Sequence, residues 1–366
     1  MENMKHGIMD KEKRTMSLND VDEMYMRRCL QLAAMGRGHV SPNPMVGAVV
    51  VWNRRIIGEG YHRCCGQAHA EVNAIASVKC PERLKESTIY VSLEPCSHYG
   101  KTPPCSRLII EKQIPRVVVG CMDPFPSVSG RGIAALRDAG IEVVTGVLEA
   151  ECRALNRSFM AAQLLQRPYI VLKWAQSRDG FIDYERSEAE PPAMISSRES
   201  LTWVHRLRAE ADAILVGTET VLKDNPSLTA RYWYGKNPLR VTIDRHGRIP
   251  QSAALLDGSA PTLVFDRGGR HDVLRTQVEY VALPDGADEL GFILAELHRR
   301  KIRRLIVEGG AALLQSFIDA GYWDEARVET GESDFCSGVS APHFEGDCFA
   351  RERQMRSTVA WYRNNR

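Results

Sequence analysis

Residues 45–52, MVGAVVVW, are almost wholly apolar and rich in β-branched side chains, with no polar residue alternating among them. A strand of that composition has no face to offer water, so it belongs in a sheet covered on both sides. The stretches around it supply the cover. SLNDVDEMYMRRCLQLAAM (17–35) sets Met24, Cys29, Leu30, Ala33 and Ala34 near one helical face, with Ser and Asp residues available as N-caps. GRGHVSPNP then breaks the pattern. HAEVNAIASV (69–78) and CSRLIIEKQI (105–114) have helical spacing, while TIYVSLEPC (88–96) and RVVVGCMD (116–123) read as further strands. GRGIAALRDAGIEVVTGV reads as helix, turn and strand. This alternation predicts an α/β domain.

A helical bridge over 150–168 ends at Pro168, and a second alternation begins. YIVLKWAQS (169–177) is a strand, ESLTWVHRLRAEA a helix, DAILVGTETV a strand, and PLRVTIDR a strand after a turn. PTLVFD, GFILAELHRRK and RRLIVEGG continue as strand, helix and strand. AALLQSFIDAG is a helix that opens directly after Gly309-Gly310. Two α/β domains also suit a chain of 366 residues. No internal repeat or low-complexity segment stands out.

Forty-eight basic residues face 46 acidic ones, a net charge of +2, so charge alone gives no footprint for nucleic acid. No window is apolar for 18 residues, so no membrane span is expected. MENMKHGIMDKEKRTM (1–16) is charged and lacks an apolar core, and reads as a solvated tail rather than a secretory signal. The ten cysteines then read as metal ligands or thiols rather than a disulfide framework, in a protein expected in the cytoplasm.

His69-Ala70-Glu71 begins a predicted helix, Pro95-Cys96 ends a predicted strand, and Cys105 begins another helix. Zinc takes one imidazole and two thiolates and leaves a fourth position for water, whose pKa it lowers toward about 7. A carboxylate that is not a ligand must then carry protons from that water to a leaving amine, and Glu71 is placed for it. H-x-E…P-C-x-x-C is the signature of zinc nucleobase deaminases. Here eight residues, SHYGKTPP, separate the cysteines instead of two. Cys64, Cys65 and His98 compete as ligands but lack the strand-to-helix placement. Cys29, Cys80, Cys121, Cys152, Cys336 and Cys348 read as buried or surface thiols.

SPNPMVGAVVV, YHRCCGQAHAEVNAI and SLEPCSHYGKTPPCSRLII resemble the deaminase half of the bifunctional riboflavin-biosynthesis deaminase/reductases, over about residues 20–150. The eight-residue spacer is that family's own form of the cysteine motif. The resemblance implies a cytidine-deaminase-like three-layer domain with zinc on His69, Cys96 and Cys105 and Glu71 as the proton shuttle. It sets Asn43 and His62 in the pyrimidine pocket, and Lys101 and Asp123 toward the ribosyl phosphate or the ribose side. DPFPSVSGRG also matches, except that Phe125 stands where the family usually has Asn.

LKWAQSRDG, TETVLKDNPSLTAR and VEGGAALLQSF resemble the reductase half of the same family, over about residues 168–330. That half is dihydrofolate-reductase-like and uses NADPH. The second half has no G-x-G-x-x-G after its first strand, but Gly309-Gly310 offers bare backbone N–H groups to a phosphate. By resemblance, NADPH lies against Ala175, Met194, Ile195, Thr220, Asp224 and the turn Gly310, Ala311, Ala312, Leu313, Leu314, Gln315, Ser316. Substrate lies against Lys173, Arg208, Leu228, Arg231 and Glu308. Arg208 and Arg231 suit a 5′-phosphate. Three departures stand out: Met194-Ile195-Ser196 replaces the family's W-I-T, DYERSEAEPPA replaces a Ser/Gly-rich loop, and Arg245 replaces a serine. Arg245 is a candidate for the 2′-phosphate of NADPH.

The expected layout is a tail (1–16), a zinc deaminase domain (17–150), a helical linker (151–168) and an NADPH reductase domain (169–366), whose residues 331–366 match the family only loosely. The expected partner is a small phosphorylated pyrimidine, with no nucleic acid or membrane. The resemblance also implies a homo-oligomer, to which Tyr322, Trp323 or the C-terminal stretch could contribute. Two other readings stay open: a nucleic-acid base deaminase with an appended domain, and a structural-zinc, nucleotide-sensing module with a cysteine as fourth ligand.

Overall fold

The computed structural model describes residues 17–97, 103–124, 129–187, 190–268, 276–286 and 288–365. The expected tail, His98, Lys101 and Phe125 lie outside them. The chain divides into two compact units, Met1–Gly36 with Met45–Leu155, and Arg37–Pro44 with Asn156–Arg366.

The first unit runs α1 (Leu18–Ala34), β1 (Gly47–Trp52), β2 (Arg55–Tyr61), α2 (Ala70–Ala76), β3 (Thr88–Leu93), α3 (Cys105–Glu111), β4 (Arg116–Cys121), α4 (Arg131–Asp138), β5 (Glu142–Thr145) and α5 (Glu149–Leu155). Ser17 caps α1 reciprocally. Its hydroxyl accepts the Asp20 N–H at 3.2 Å, and the Asp20 carboxylate accepts the Ser17 N–H at 3.0 Å. The buried face of α1 is Asp22, Tyr25, Met26, Cys29, Leu32 and Ala33. Met24, expected on that face, is 46% exposed. Five residues from Cys29, it lies well around the helix from the Cys29 row.

The sheet order is β2-β1-β3-β4-β5, with β1 antiparallel to both neighbours and β3, β4 and β5 parallel. Helices cover both faces, as MVGAVVVW requires. On one, Ala70, Ala74, Ile75, Ile109 and Leu136 of α2, α3 and α4 join Val50, Ile89, Val91, Val117 and Val119 in a single core. On the other, Tyr25 of α1 packs against Tyr90, whose hydroxyl donates to Asp22 at 2.7 Å. β2 carries no clear strand pattern. It is set by the turn before it, where Asn53 and Arg54 both have positive φ, 45° and 59°, as a tight hairpin turn demands.

The stretch 150–168 is two helices rather than one bridge. α5 belongs to the first unit, and α6 (Arg157–Leu165) to the second. Asn156 between them has φ −102° and ψ 20° and leaves the helical path.

After α6 the second unit continues β6 (Tyr169–Gln176), β7 (Phe181–Asp183), α7 (Arg198–Glu210), β8 (Ala213–Gly217), α8 (Thr218–Asp224), β9 (Leu239–Ile243), β10 (Thr262–Asp266), β11 (Val278–Ala282), α9 (Glu289–Arg299), β12 (Arg304–Val307) and α10 (Ala311–Asp319). It ends with β13 (Glu325–Gly331), β14 (Val339–Ser340), β15 (Asp347–Gln354) and β16 (Ser357–Arg363). The large sheet has the order β11-β10-β9-β8-β12-β6-β13-β16-β15. It is parallel from β11 to β13, and the antiparallel hairpin β15–β16 extends its edge. The loosely matching residues 331–366 thus include two strands of this sheet.

The strand expected over 212–221 stops at Gly217, and Thr218 onward is helix α8. The Thr and Val residues that suggested strand also tolerate a short helix when packing asks for it. Trp323 is a core residue, 4% exposed, and the Tyr322 hydroxyl donates to Asp288 at 2.9 Å, so both are engaged within the unit. Among the described residues no helix is long and apolar enough to cross a membrane.

Candidate active sites

In the first unit three sequence-distant residues meet. His69 is the N-cap of α2, Cys96 follows β3, and Cys105 opens α3 after Pro104. Their ligand atoms lie within 4.8 Å of one another. His69 Nδ1 is 3.6 Å from Cys96 Sγ and 3.4 Å from Cys105 Sγ, and the Cys105 N–H donates to Cys96 Sγ at 3.3 Å. Zinc bonds of about 2.3 Å to sulfur and about 2.0–2.1 Å to nitrogen, at a tetrahedral angle, put those atoms about 3.6 Å apart. The donor set therefore fits zinc in both type and spacing.

The Cys105 thiol holds Cys96 low, at about 4, against its burial, and Cys105 is pushed up by its thiolate neighbour. A dication takes the place of the thiol proton. Hydrogen bonding to Cys96 raises His69. Glu71, in the first turn of α2 and 3% exposed, is raised to about 7, by burial first and then by the charge of Cys96.

His62 is buried, its ring edge-on to His69 at 5.4 Å and its Nδ1 3.1 Å from the Ala68 carbonyl. Burial lowers its pKa. Cys64 and Cys65, weighed above as ligands, are exposed and outside the cluster. Asn43 lies in the Arg37–Pro44 segment and donates its N–H to the Val40 carbonyl at 2.9 Å.

Glu94 carries no role in the sequence reading, yet its buried carboxylate organises the loop that follows β4. It accepts N–H groups from Asp123 (3.3 Å), Gly130 (3.0 Å), Gly132 (3.0 Å) and Ile133 (3.4 Å). Four donors on one carboxylate fix Asp123 and the start of α4 against the strand end that carries Cys96. Gly132 has to be glycine here, because a Cβ would stand 2.0 Å from the Pro95 carbonyl oxygen. The signal was a lone acidic residue in an otherwise apolar strand end.

In the second unit a cleft of about 930 Å³ opens at the C-terminal ends of β6, β8, β9 and β12, where parallel sheets bind ligands. Lys173, Ala175, Met194, Ile195, Arg208, Thr220, Asp224, Arg245, Glu308, Gly310–Leu314 and Ser316 line it. Gly309 has φ 140°, and the next N–H, of Gly310, donates to Thr220 Oγ1 at 2.7 Å, which fixes the turn ahead of α10. Three expected contacts are not among the lining residues. Leu228 is buried in a separate apolar cluster, Arg231 is exposed over the Tyr232 ring, and Gln315 donates to Asp319 and His343.

Arg208 and Glu308 are partners. The guanidinium donates to both carboxylate oxygens, at 3.0 and 2.7 Å, and to the Thr229 carbonyl at 3.2 Å. Burial would push Glu308 up, but Arg208 and Lys173 outweigh it and bring it down to about 2. Asp224 is paired with buried Arg186, and Arg245 donates to Glu289 at 2.6 Å.

Comparison with known proteins adds the family. The model described as "Cytidine and deoxycytidylate deaminase zinc-binding region" matches residues 19–121, and that described as "RibD C-terminal domain" matches 168–330. The chain is 42% identical to the riboflavin biosynthesis protein RibD of Aquifex aeolicus, over 85% of this chain and 87% of that protein. It is 35% identical to its Escherichia coli namesake, over 84% and 86%. A solved diaminohydroxyphosphoribosylaminopyrimidine deaminase/5-amino-6-(5-phosphoribosylamino)uracil reductase from Thermotoga maritima superposes with a TM-score of 0.86 at 36% identity, covering 95% of this chain and 99% of that one. Acinetobacter baumannii RibD gives 0.87 at 30%, covering 95% and 100%.

Proposed function

This chain belongs to the RibD family of riboflavin-biosynthesis deaminase/reductases, and from that premise we propose how its residues divide the work. It is a bifunctional enzyme, a zinc deaminase joined to a reductase of the kind that takes a pyridine nucleotide. The first unit hydrolyses the exocyclic amine of 2,5-diamino-6-(5-phosphoribosylamino)pyrimidin-4(3H)-one. The second reduces the ribosyl group of the resulting 5-amino-6-(5-phosphoribosylamino)uracil to a ribityl chain. The single observation that carries the first step is the 3.4 and 3.6 Å donor spacing with a buried carboxylate two residues along.

His69, Cys96 and Cys105 would hold zinc, which when bound acts as a Lewis acid toward water. Glu71 accepts a proton from the attacking water and delivers it to the departing amine, so water adds at carbon and ammonia leaves. Burial keeps that carboxylate away from bulk solvent. His62, Asn43, Lys101 and Asp123 are the proposed contacts to the pyrimidine and its ribosyl phosphate.

In the second unit the reading sets NADPH along Ala175, Met194, Ile195, Thr220, Asp224 and the turn Gly310–Ser316. Arg245, on the cleft wall, would choose NADPH over NADH by its 2′-phosphate. Lys173 and Glu308 meet the sugar. Arg208 already grips Glu308, so its remaining N–H groups would face the substrate phosphate. A homo-oligomer is part of the same reading, checked by sedimentation.

X-ray absorption on zinc-loaded protein tests the first site. Two sulfurs, one nitrogen and one oxygen are expected. Three sulfurs and one nitrogen would favour the structural-zinc reading and overturn this one.

A further inference from the structure

Lys173 sits on β6, between β12 and β13, with unlike neighbours on its two sides. On β12, Val307 is in register with Leu172, which brings Glu308 beside Lys173. On β13, Arg327 is directly opposite Lys173 and Glu329 opposite Ala175. Residues in register on adjacent strands share a face, so Lys173 has an anion on one flank and a cation on the other.

Arg327 and Glu329 are 2% and 0% exposed. The guanidinium donates to Glu329 at 3.4 Å and to the Gln354 side chain at 3.4 Å, and the Ser357 hydroxyl donates to Glu329 at 2.9 Å. A buried Arg–Glu pair is usually no more stable than an apolar pair of the same volume, so packing alone does not call for this one. Neither residue lines the cleft. Their position one strand from Lys173 gives the pair a use.

We propose that Arg327 is a positioning residue for Lys173: it repels the ammonium from the β13 side and directs it toward Glu308 and the cleft, while Glu329 holds the guanidinium in place. The charged and titratable groups facing Lys173 are Glu308 after β12, Arg208 and His205 on α7, and Arg327 and Glu329 on β13. Burial lowers the lysine, and Arg208 and Arg327 add to it against Glu308 and Glu329. The proposal builds on the reading of Lys173 as a substrate contact, but it can be tested on Lys173 itself.

The experiment is competitive acetylation of the full-length protein with acetic anhydride across pH, with the Lys173 peptide quantified by mass spectrometry. Arg327→Met removes the repulsion and should raise the Lys173 midpoint by about one pH unit. Glu329→Gln leaves Arg327 uncompensated and should lower it by a similar amount. Arg327→Lys should stay near the parent, and Arg327→Gln replaces the Met variant if that one does not fold. Opposite shifts support the proposal. Shifts of the same sign, or none in variants with parental circular dichroism, overturn it. If Lys173 shifts while the pH profile of the reductase does not, positioning stands and the substrate role of Lys173 fails.

Discussion

The deaminase site uses four side chains drawn from two short stretches, His69 with Glu71 and Cys96 with Cys105. The reductase cleft gathers residues from β6, α7, α8, β12 and α10, and part of what it offers a ligand is backbone. In the first, the geometry is that of a metal's coordination sphere. In the second, it is set by charge pairs between elements distant in sequence, such as Arg208 with Glu308, 100 residues apart. A site built on a metal's donor set is therefore exposed to the loss of single groups. A site built on paired charges is exposed to the loss of a partner, through stability as much as through contact.

The largest expected effect is on the first site. Glu71→Gln should retain zinc yet cut ammonia release by about a thousandfold, in the range of lost general acid–base catalysis. Reduction of the already deaminated substrate should be unaltered. Deamination that survives would remove Glu71 from the proton path.

Arg208→Ala tests the second kind of site. It takes the bidentate partner from buried Glu308 and leaves Lys173 as the neighbouring cation, and should destabilise the second unit by about 3 kcal/mol in urea unfolding. Arg248→Ala, which breaks the exposed pair with Glu219, should cost less than about 1 kcal/mol. Similar costs for the two would contradict the role given to paired burial. In binding, Arg208→Ala should weaken the phosphorylated substrate far more than its dephosphorylated analogue.

A smaller effect follows from His205. Burial first, and then Arg208 and Arg231, hold it down at about 4. Above the unfolded value of about 6.5 both states are neutral and it contributes nothing. As pH falls from about 6.5 toward 4 the unfolded chain takes up a proton that the folded one refuses, so stability falls. The loss should be on the order of 3 kcal/mol, and His205→Gln should flatten that part of the stability profile. A profile unchanged by the substitution would place the acid sensitivity elsewhere.

Thr220→Val should have the smallest effect. It removes the acceptor for the Gly310 N–H, a hydrogen bond worth about 1 kcal/mol, so NADPH should dissociate at about fivefold higher concentration in fluorescence titration. No change would separate that turn from nucleotide binding.

The same contrast explains what was legible in the sequence. His69, Cys96, Cys105 and Glu71 stood out because few roles need those residue types in that order. MVGAVVVW dictated a sheet covered on both faces, and the structure has one. β2 was hidden because its hairpin rests on two non-glycine residues at positive φ, Asn53 and Arg54, which pattern alone does not flag. Glu94 was hidden because its partners are backbone N–H groups after another strand. The Arg208–Glu308 pair and the Arg327–Lys173 register depend on strand order, which periodicity does not encode. Leu228 and Arg231 are expected contacts by resemblance of position alone, and they are not among the residues that line the cleft.

The most direct test follows two signals in one vessel, with zinc-loaded protein and the diaminopyrimidine phosphoriboside. Ammonia is read first without NADPH, and NADPH oxidation is read after its addition. Ammonia release should need no nucleotide, and NADPH consumption should then match it mole for mole. Glu71→Gln should consume NADPH only when given the deaminated substrate. NADPH consumption by that variant on the diamino substrate, or no ammonia from zinc-loaded parent protein, would contradict it.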